Sequence, residues 1–417
     1  MTAAIAVDTF NRVRTGITRI FRSHYRQRPF ISIERERKAR RTKAQKKIVR
    51  DLDYYARLEG LEVVSFDVVT DDRFVLKLFR VIDPNEPIQI RKNRYPILLI
   101  HGLLQSAGAF CVNDESSLAF YLTKSGYDVW LGNNRCGFDH RHLDYSYNDP
   151  RMWDWDVREM GTLDLPAFVD HVLHVTGYKK IALACHSQGT TQTFLALSRS
   201  HTPDFGKKIS VFCALAPAVY AGPLVDRRFF KFIRYIPSWM YRICFGVHAF
   251  IPSMISLRKI IPKSWLAYFS YAMFHYLFHW SDERWEKALS GRMFQFSPVY
   301  VSAESMRWWL GRNGFASRRC ILPDSEEPWF DDRCPPFALW IAGQDLLVDG
   351  LRLITRLETL EPHVALLRKD VISEYEHLDV LWAVDSVDHI AKGVKEVVWS
   401  TAFERENCRC PTGCEDL

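Results

Sequence analysis

Ala182-Leu183-Ala184-Cys185-His186-Ser187-Gln188-Gly189-Thr190-Thr191 is the stretch that decides the fold. An apolar run ends at Ala184, a serine follows among small or polar neighbours, and Thr190 leads into the helical apolar pattern Phe194, Leu195, Leu197. Strand, sharp turn and helix in that order is the geometry of a nucleophile elbow, which holds a hydroxyl out at the carboxyl edge of a sheet. The turn requires small residues two positions either side of the serine, because strand and helix backbones nearly touch there. Gly189 meets the requirement, and Cys185 meets it only in part.

The flanking sequence supplies the sheet. Alternation of apolar and polar residues over 61–69 and 74–81, with Asp71-Asp72 between them, predicts an antiparallel hairpin. Pro96-Ile97-Leu98-Leu99-Ile100 has no polar face, as in a parallel strand covered by helices on both sides. Further strands are predicted over 127–131, 180–184, 209–215, 336–342 and 364–372, with helices over 163–175 and 380–398. The alternation predicts an α/β protein with a mostly parallel, doubly wound sheet, whose site gathers at the carboxyl ends of the strands.

Between residues 220 and 312 that alternation stops. Aromatic clusters such as Phe229-Phe230 and Trp239-Met240-Tyr241 recur among Lys and Arg, with prolines at 223, 237, 252 and 262. Residues 264–280 contain no Lys, Arg, Asp or Glu, and eight of these seventeen are Trp, Tyr or Phe. The run is too short and too rich in Tyr, Ser and His for a membrane span, and reads as a helical cap over the strand ends. The chain divides into an arm (1–50), a first core segment (51–219), the cap (220–312), a second core segment (313–400) and a mobile cysteine-containing tail (401–417).

A serine hydroxyl needs a base to take its proton, a carboxylate to orient that base, and donors for the oxyanion. In this architecture the partners follow in the order serine, acid, histidine, each after a strand. Asp345, three residues past an apolar strand, is the acid; Asp349 lies further into a helix. Of the histidines that follow, His363 precedes a strand and His389 lies in the final helix, which leaves His377 in the loop after the last strand. The backbone N–H of Gln188 and that of Leu103, after His101-Gly102, are the expected oxyanion donors. His101 and His186 are expected to pack and hydrogen-bond without moving protons.

Composition narrows the function. Residues 1–50 hold 15 Lys and Arg against Asp8, Glu34 and Glu36, a net of +12 in a chain whose total is +7, so the rest carries −5. Phe10, Val13, Ile17, Ile20, Phe21 and His24 share about a quarter-turn of a helical wheel, with Arg12, Arg19, Arg22 and Arg26 across it. Such a basic amphipathic arm suits an anionic membrane surface; it also fits a mitochondrial transit peptide or a helix packed on its own domain. The polybasic stretch from Arg35 to Arg50 lacks the interleaved stacking aromatics that nucleic-acid binding requires. Ten cysteines without a secretory signal or a glycosylation acceptor point to an intracellular chain with reduced thiols. No phosphate-binding glycine loop occurs, so no cofactor is expected. Asp139-His140-Arg141-His142 lacks a third ligand at useful spacing, and Cys408, Cys410 and Cys414 lack a second ligand pair, so no metal is expected; lipidation of the tail is the other reading of those thiols.

Several motifs together resemble one family. His101-Gly102-Leu103-Leu104, Gly126-Tyr127-Asp128-Val129-Trp130-Leu131-Gly132-Asn133-Asn134-Arg135, Asp164-Leu165-Pro166-Ala167, His186-Ser187-Gln188-Gly189-Thr190, Phe296-Ser297-Pro298 and Glu376-His377-Leu378-Asp379 are similar in order and spacing to those of the acid lipases. That family includes gastric and lysosomal lipases and membrane-anchored fungal steryl ester hydrolases. The resemblance implies an α/β-hydrolase fold with a helical lid, and hydrolysis of long-chain fatty acyl esters of glycerol or sterol. It assigns Ser187, Asp345 and His377 to the triad and Leu103 and Gln188 to the oxyanion hole. The partners it implies are a neutral-lipid ester and a membrane or lipid-droplet surface, at the droplet or the cytosolic face of the endoplasmic reticulum. Cys185 departs from the family's glycine and leaves open a catalytically impaired lipid-binding relative; an acyltransferase using the same triad is the other alternative. Sterol or glycerol preference and oligomeric state are not set by sequence.

Overall fold

The computed structural model describes residues 48–253 and 260–417, and residues 48–417 form one compact unit. The amphipathic pattern of the arm falls on residues 1–47, outside the described residues.

Eight strands form one sheet: β1 (Glu62–Val69), β2 (Val75–Ile82), β3 (Pro96–Ile100), β4 (Asp128–Asn133), β5 (Ile181–His186), β6 (Ile209–Leu215), β7 (Phe337–Ala342) and β8 (Leu366–Ile372). Their order is β1-β2-β4-β3-β5-β6-β7-β8. The β1–β2 hairpin joins antiparallel to β4, and from β4 to β8 every pairing is parallel. Helices of eight residues or more among the described residues are α1 (Leu118–Ser125), α2 (Leu165–Thr176), α3 (Gln188–Leu197), α4 (Arg228–Tyr235), α5 (Ser238–Phe245), α6 (Lys263–Phe278), α7 (Ala303–Leu310), α8 (Gly350–Leu360) and α9 (Lys392–Ser400).

The apolar runs of the central strands are continuous because both faces are buried. Ile97 and Leu99 of β3 and Ala182 and Ala184 of β5 enter one core. Leu98, Ile100, Ile181, Leu183 and Cys185 enter the other, on the opposite face. Each large side chain removed from water in these layers stabilises the fold by about 1.5–3 kcal/mol.

Strands β6 and β7 pair directly, Cys213 opposite Ala338, yet 121 residues separate Leu215 from Phe337. This excursion carries the cap. The residues rich in Tyr, Ser and His become α6, which turns Leu266, Ala267, Ser270 and Phe274 inward. No helix among the described residues is long and apolar enough to cross a membrane.

Two expectations are corrected. The helix over 380–398 is interrupted: a short helix Asp379–Trp382 ends where Ala383 turns extended, and helical backbone resumes with a π-turn, Val387–Ala391, that runs straight into α9. At the break the chain pairs with the cap instead, the Val384 N–H donating to the Arg284 carbonyl at 2.9 Å. Residues 401–417 are packed rather than mobile. Arg409 N–H donates to the Asn93 carbonyl (2.7 Å), Thr412 N–H to that of Ser125 (2.8 Å), and Lys395 Nζ to the Thr412 carbonyl (2.8 Å). The Ser125 carbonyl, left free at the end of α1, and the Asn93 carbonyl ahead of β3 hold the tail, and Cys414 is 1% exposed.

Candidate active site

The site is built where β5 turns into α3. Ser187 has φ 51° and ψ −117°, a conformation that costs a residue with a side chain about 1–3 kcal/mol. Three hydrogen bonds hold it there. Ser187 N–H donates to the Leu215 carbonyl at 3.1 Å; Thr190 Oγ1 donates to the Ser187 carbonyl at 2.6 Å and accepts from Ala218 N–H at 2.9 Å. A Cβ on Gly189 would stand 2.6 Å from the Ile100 carbonyl oxygen, which is why a glycine is required. Cys185 is fully buried in the core, and its Sγ lies within hydrogen-bond distance, 3.2 Å, of Thr193 Oγ1 on α3.

His377 arrives on the loop after β8. Ser187 Oγ lies 2.7 Å from His377 Nε2, and His377 Nδ1 lies 2.5 Å from Asp345 Oδ2. Asp345, on the loop after β7, is itself oriented by the N–H groups of Leu347 (2.8 Å) and Val348 (3.3 Å), which donate to its other oxygen. The side chains of His377 and Asp345 are 1% and 3% exposed, and Ser187 is 6% exposed, so this chain of bonds is shielded from water. Asp349 instead caps α8, accepting from Arg352 N–H. His363 is exposed, and the ring of His389 packs against Tyr375.

The loop after β3 lies against the nucleophile. A Cβ on Gly102 would be 2.9 Å from both Ser187 Cβ and His186 Nδ1, so the backbone carrying Leu103 borders the hydroxyl on one side. On the other, Gln188 opens α3, and a helix's first N–H groups have no partner within the helix. Its side chain is buried, with Oε1 accepting from Trp309 Nε1 at 2.9 Å. His186 spans Gln105 Oε1 (3.0 Å) and the His377 carbonyl (3.2 Å), and burial holds its imidazole well below its ordinary pKa, in the neutral form. His101 is fully buried beside its own loop, its pKa lowered to about 4 by burial.

Sequence reasoning missed the cap's contribution. Trp280 lies flat on the His377 ring, with centroids 5.3 Å apart and planes 7° from parallel. The next residues are bolted to the histidine loop. Ser281 N–H donates to Glu376 Oε2 (2.5 Å), Arg284 Nε to the Glu374 carbonyl (3.2 Å) and Trp285 Nε1 to Asp379 Oδ1 (2.8 Å). Burial pushes the Asp379 carboxyl up to about 7. No local signal marks Trp280, beyond its place at the end of the run without charged residues.

Two other motifs acquire structural reasons. Arg135, 1% exposed, binds the buried Asp164 through Nε and Nη2 and reaches Asp72, tying β4, the start of α2 and the hairpin turn together. His140 packs on Trp153, and His142 Nε2 lies 2.8 Å from the Asp72 carbonyl. Among the described residues no three His, Cys, Asp or Glu side chains are grouped to hold a metal.

Comparison with known proteins agrees with this architecture. Residues 52–114 match the family model of the partial alpha/beta-hydrolase lipase region, and residues 95–238 that of the alpha/beta hydrolase fold. The chain is 40% identical to sterol esterase 2 of Saccharomyces cerevisiae, over 84% of this chain and 72% of that one. It is 32% identical to a probable lipase of Schizosaccharomyces pombe, over 79% and 76%. To human gastric triacylglycerol lipase it is 28% identical, over 80% and 87%. With this sheet, this elbow and these relatives, the chain belongs to the acid lipase family of α/β-hydrolases.

Proposed function

We propose that the protein is a serine hydrolase that docks on a lipid surface and cleaves long-chain fatty acyl esters, steryl esters or triacylglycerols, through an acyl-enzyme. The observation that carries the reading is the unbroken chain from Ser187 Oγ through His377 to Asp345. Oγ attacks the ester carbonyl while its proton passes to Nε2, and the Asp345 carboxylate stabilises the imidazolium that forms. The N–H groups of Leu103 and Gln188 receive the developing oxyanion. Nε2–H then protonates the departing alkoxide, whether of a sterol or a glyceride. Water, deprotonated by the same nitrogen, releases the fatty acid and restores the serine. The names of the relatives, a sterol esterase and gastric triacylglycerol lipases, favour these two alcohol classes. With Cys185 bonded to Thr193 in the core, Ser187 Oγ still lies 2.7 Å from His377 Nε2, which favours an active elbow over an impaired one.

The cap favours a lipid surface. From residue 227 to 281 the sequence has eight Lys and Arg and no carboxylate. On α4, Phe229, Phe232 and Tyr235 recur every third residue and are 51%, 69% and 73% exposed; Trp239 and Ile243 are similarly bare on α5. An apolar face edged by arginine suits insertion among acyl chains beneath anionic headgroups. On this reading the protein works at an intracellular lipid surface, a lipid droplet or the cytosolic face of the endoplasmic reticulum, with the arm as a second attachment.

Ser187→Ala is expected to abolish cleavage of both p-nitrophenyl butyrate and cholesteryl oleate, and labelling by a fluorophosphonate, without changing the unfolding midpoint. Turnover persisting in that variant would refute the mechanism. Comparing cholesteryl oleate with triolein assigns the alcohol. Phe232→Asp with Trp239→Asp and Ile243→Asp is expected to weaken binding to phosphatidylserine-containing vesicles while short-ester cleavage persists; unchanged binding would refute docking through the cap.

A further inference from the structure

The triad accounts for two neighbours of the His377 ring, Ser187 at Nε2 and Asp345 at Nδ1, but not for the neighbour on its face. That neighbour, Trp280, belongs to the cap, 97 residues away in sequence. We propose that Trp280 is a positioning residue: its indole holds the catalytic imidazole in plane and stabilises the imidazolium, so that the base works at full strength only with the cap seated. The proposal rests on the triad reading above.

Three observations converge. The near-parallel stack puts the electron-rich indole face within reach of a ring that gains a positive charge in both acylation and deacylation; an aromatic face attracts a cation within about 6 Å of its centroid. The indole is backed by Phe278 (4.5 Å, 20°) and Phe274 (5.7 Å, 26°), so it cannot recede from the imidazole. Finally, the bonds of Ser281, Arg284 and Trp285 to the 374–385 loop register Trp280 against His377 and make the pair one mechanical unit. Simple filling of space would need none of this parallel geometry.

The other titratable groups around the ring do not duplicate the effect. Asp345 acts in the plane at Nδ1, and His186, 5.1 Å away, is neutral through burial. Glu376 and Asp379 are turned to the cap, on Ser281 N–H and Trp285 Nε1 respectively. Nδ1 of His275 faces the Trp280 carbonyl, and Arg284 lies beside Glu374 and Asp385.

The test substitutes position 280 in the full-length protein and uses a water-soluble short-chain ester. Trp280→Leu keeps an apolar filler without a π face, Trp280→Phe keeps a weaker face, and site-specific 5-fluoro- and 5,7-difluorotryptophan keep the shape while draining the ring of electron density. The expected loss in Trp280→Leu is about tenfold in kcat with KM little changed, the equivalent of ~1.4 kcal/mol of imidazolium stabilisation. The acid limb of kcat/KM is expected to move about one unit to lower pH, because the imidazolium has lost stabilisation. Phenylalanine should fall between, and the fluorinated residues should rank by their electron density. If Trp280→Leu does not fold, the fluorinated pair decides alone. Wild-type kcat and pH profile in the difluoro protein would overturn the proposal, as would a lower kcat with an unmoved acid limb, which is the mark of packing only. His377→Ala, assayed alongside, separates the two readings: its activity would sink the triad itself, whereas a dead His377→Ala beside a wild-type difluoro protein sinks only the role of Trp280.

Discussion

Replacing Gly189 by alanine tests the mechanical basis of the elbow. The added methyl carbon would stand 2.6 Å from the Ile100 carbonyl oxygen and 2.9 Å from that of His101. A close carbon–oxygen contact is about 3.3 Å, so α3 and the end of β3 must part by about 0.7 Å. Both obstacles are main-chain atoms and no rotamer change relieves them. Overpacking of this kind costs about 1–3 kcal/mol of stability. The functional loss should be larger, because the displacement falls between Ser187 and the loop that carries Leu103. Misplacement of reacting groups by about 1 Å lowers rates on the order of 100-fold. The assay is kcat on p-nitrophenyl butyrate, with active-site titration to count competent serines and urea unfolding to follow stability. A tenfold to hundredfold drop in kcat beside a modest shift in midpoint is expected. If Gly189→Ala turns over within threefold of wild type, strand and helix do not meet as tightly as a 2.6 Å contact demands.

Three further outcomes follow from buried groups and from the tail. Arg135→Ala would leave the Asp164 carboxyl without its cation in a fully buried site, and should destabilise the protein by about 3–5 kcal/mol in urea titrations; a change under ~1 kcal/mol would contradict the network. Asp379, whose carboxyl is pushed from 3.8 up to about 7, keeps its proton in the fold after the unfolded chain has lost its own. Stability is therefore expected to fall by up to ~4 kcal/mol as pH rises from 4 to 7, and Asp379→Asn should flatten that part of the curve; an unchanged slope would show that the carboxyl is ionised throughout. Ending the chain at residue 402 removes the bonds from Arg409 and Thr412 and uncovers the site filled by Cys414, so the melting temperature should drop, whereas an unchanged value would mean that the tail contributes nothing.

The fold was legible because its signals are local. A run such as 96–100 has no polar face, the hairpin alternates, and a glycine two residues past Ser187 answers to a steric demand made within one turn. The acid and the base could be selected by asking which residue of the right type follows a strand. What stayed hidden depends on partners far away in sequence. Nothing near residue 280 says that its ring will meet residue 377, and nothing near Ala383 says that the helix will open there to bond Arg284. The tail has no periodicity of its own, yet it is ordered by the carbonyls of Asn93, ahead of β3, and Ser125, at the end of α1. Cys185 was the reverse case: the mismatch with the usual glycine was visible, but the room for its thiol beside Thr193 was not.

The 121-residue excursion between two hydrogen-bonded strands separates two kinds of variation. Because β6 and β7 stay zipped whatever leaves and re-enters between them, the excursion can be lengthened, shortened or resurfaced without disturbing the spacing of serine, acid and base. Changes confined to the loop's outer residues can therefore alter what the cap presents to solvent while the three reacting side chains keep their places. Alterations near its Trp280–Trp285 stretch are the exception, since they would also retune the chemistry.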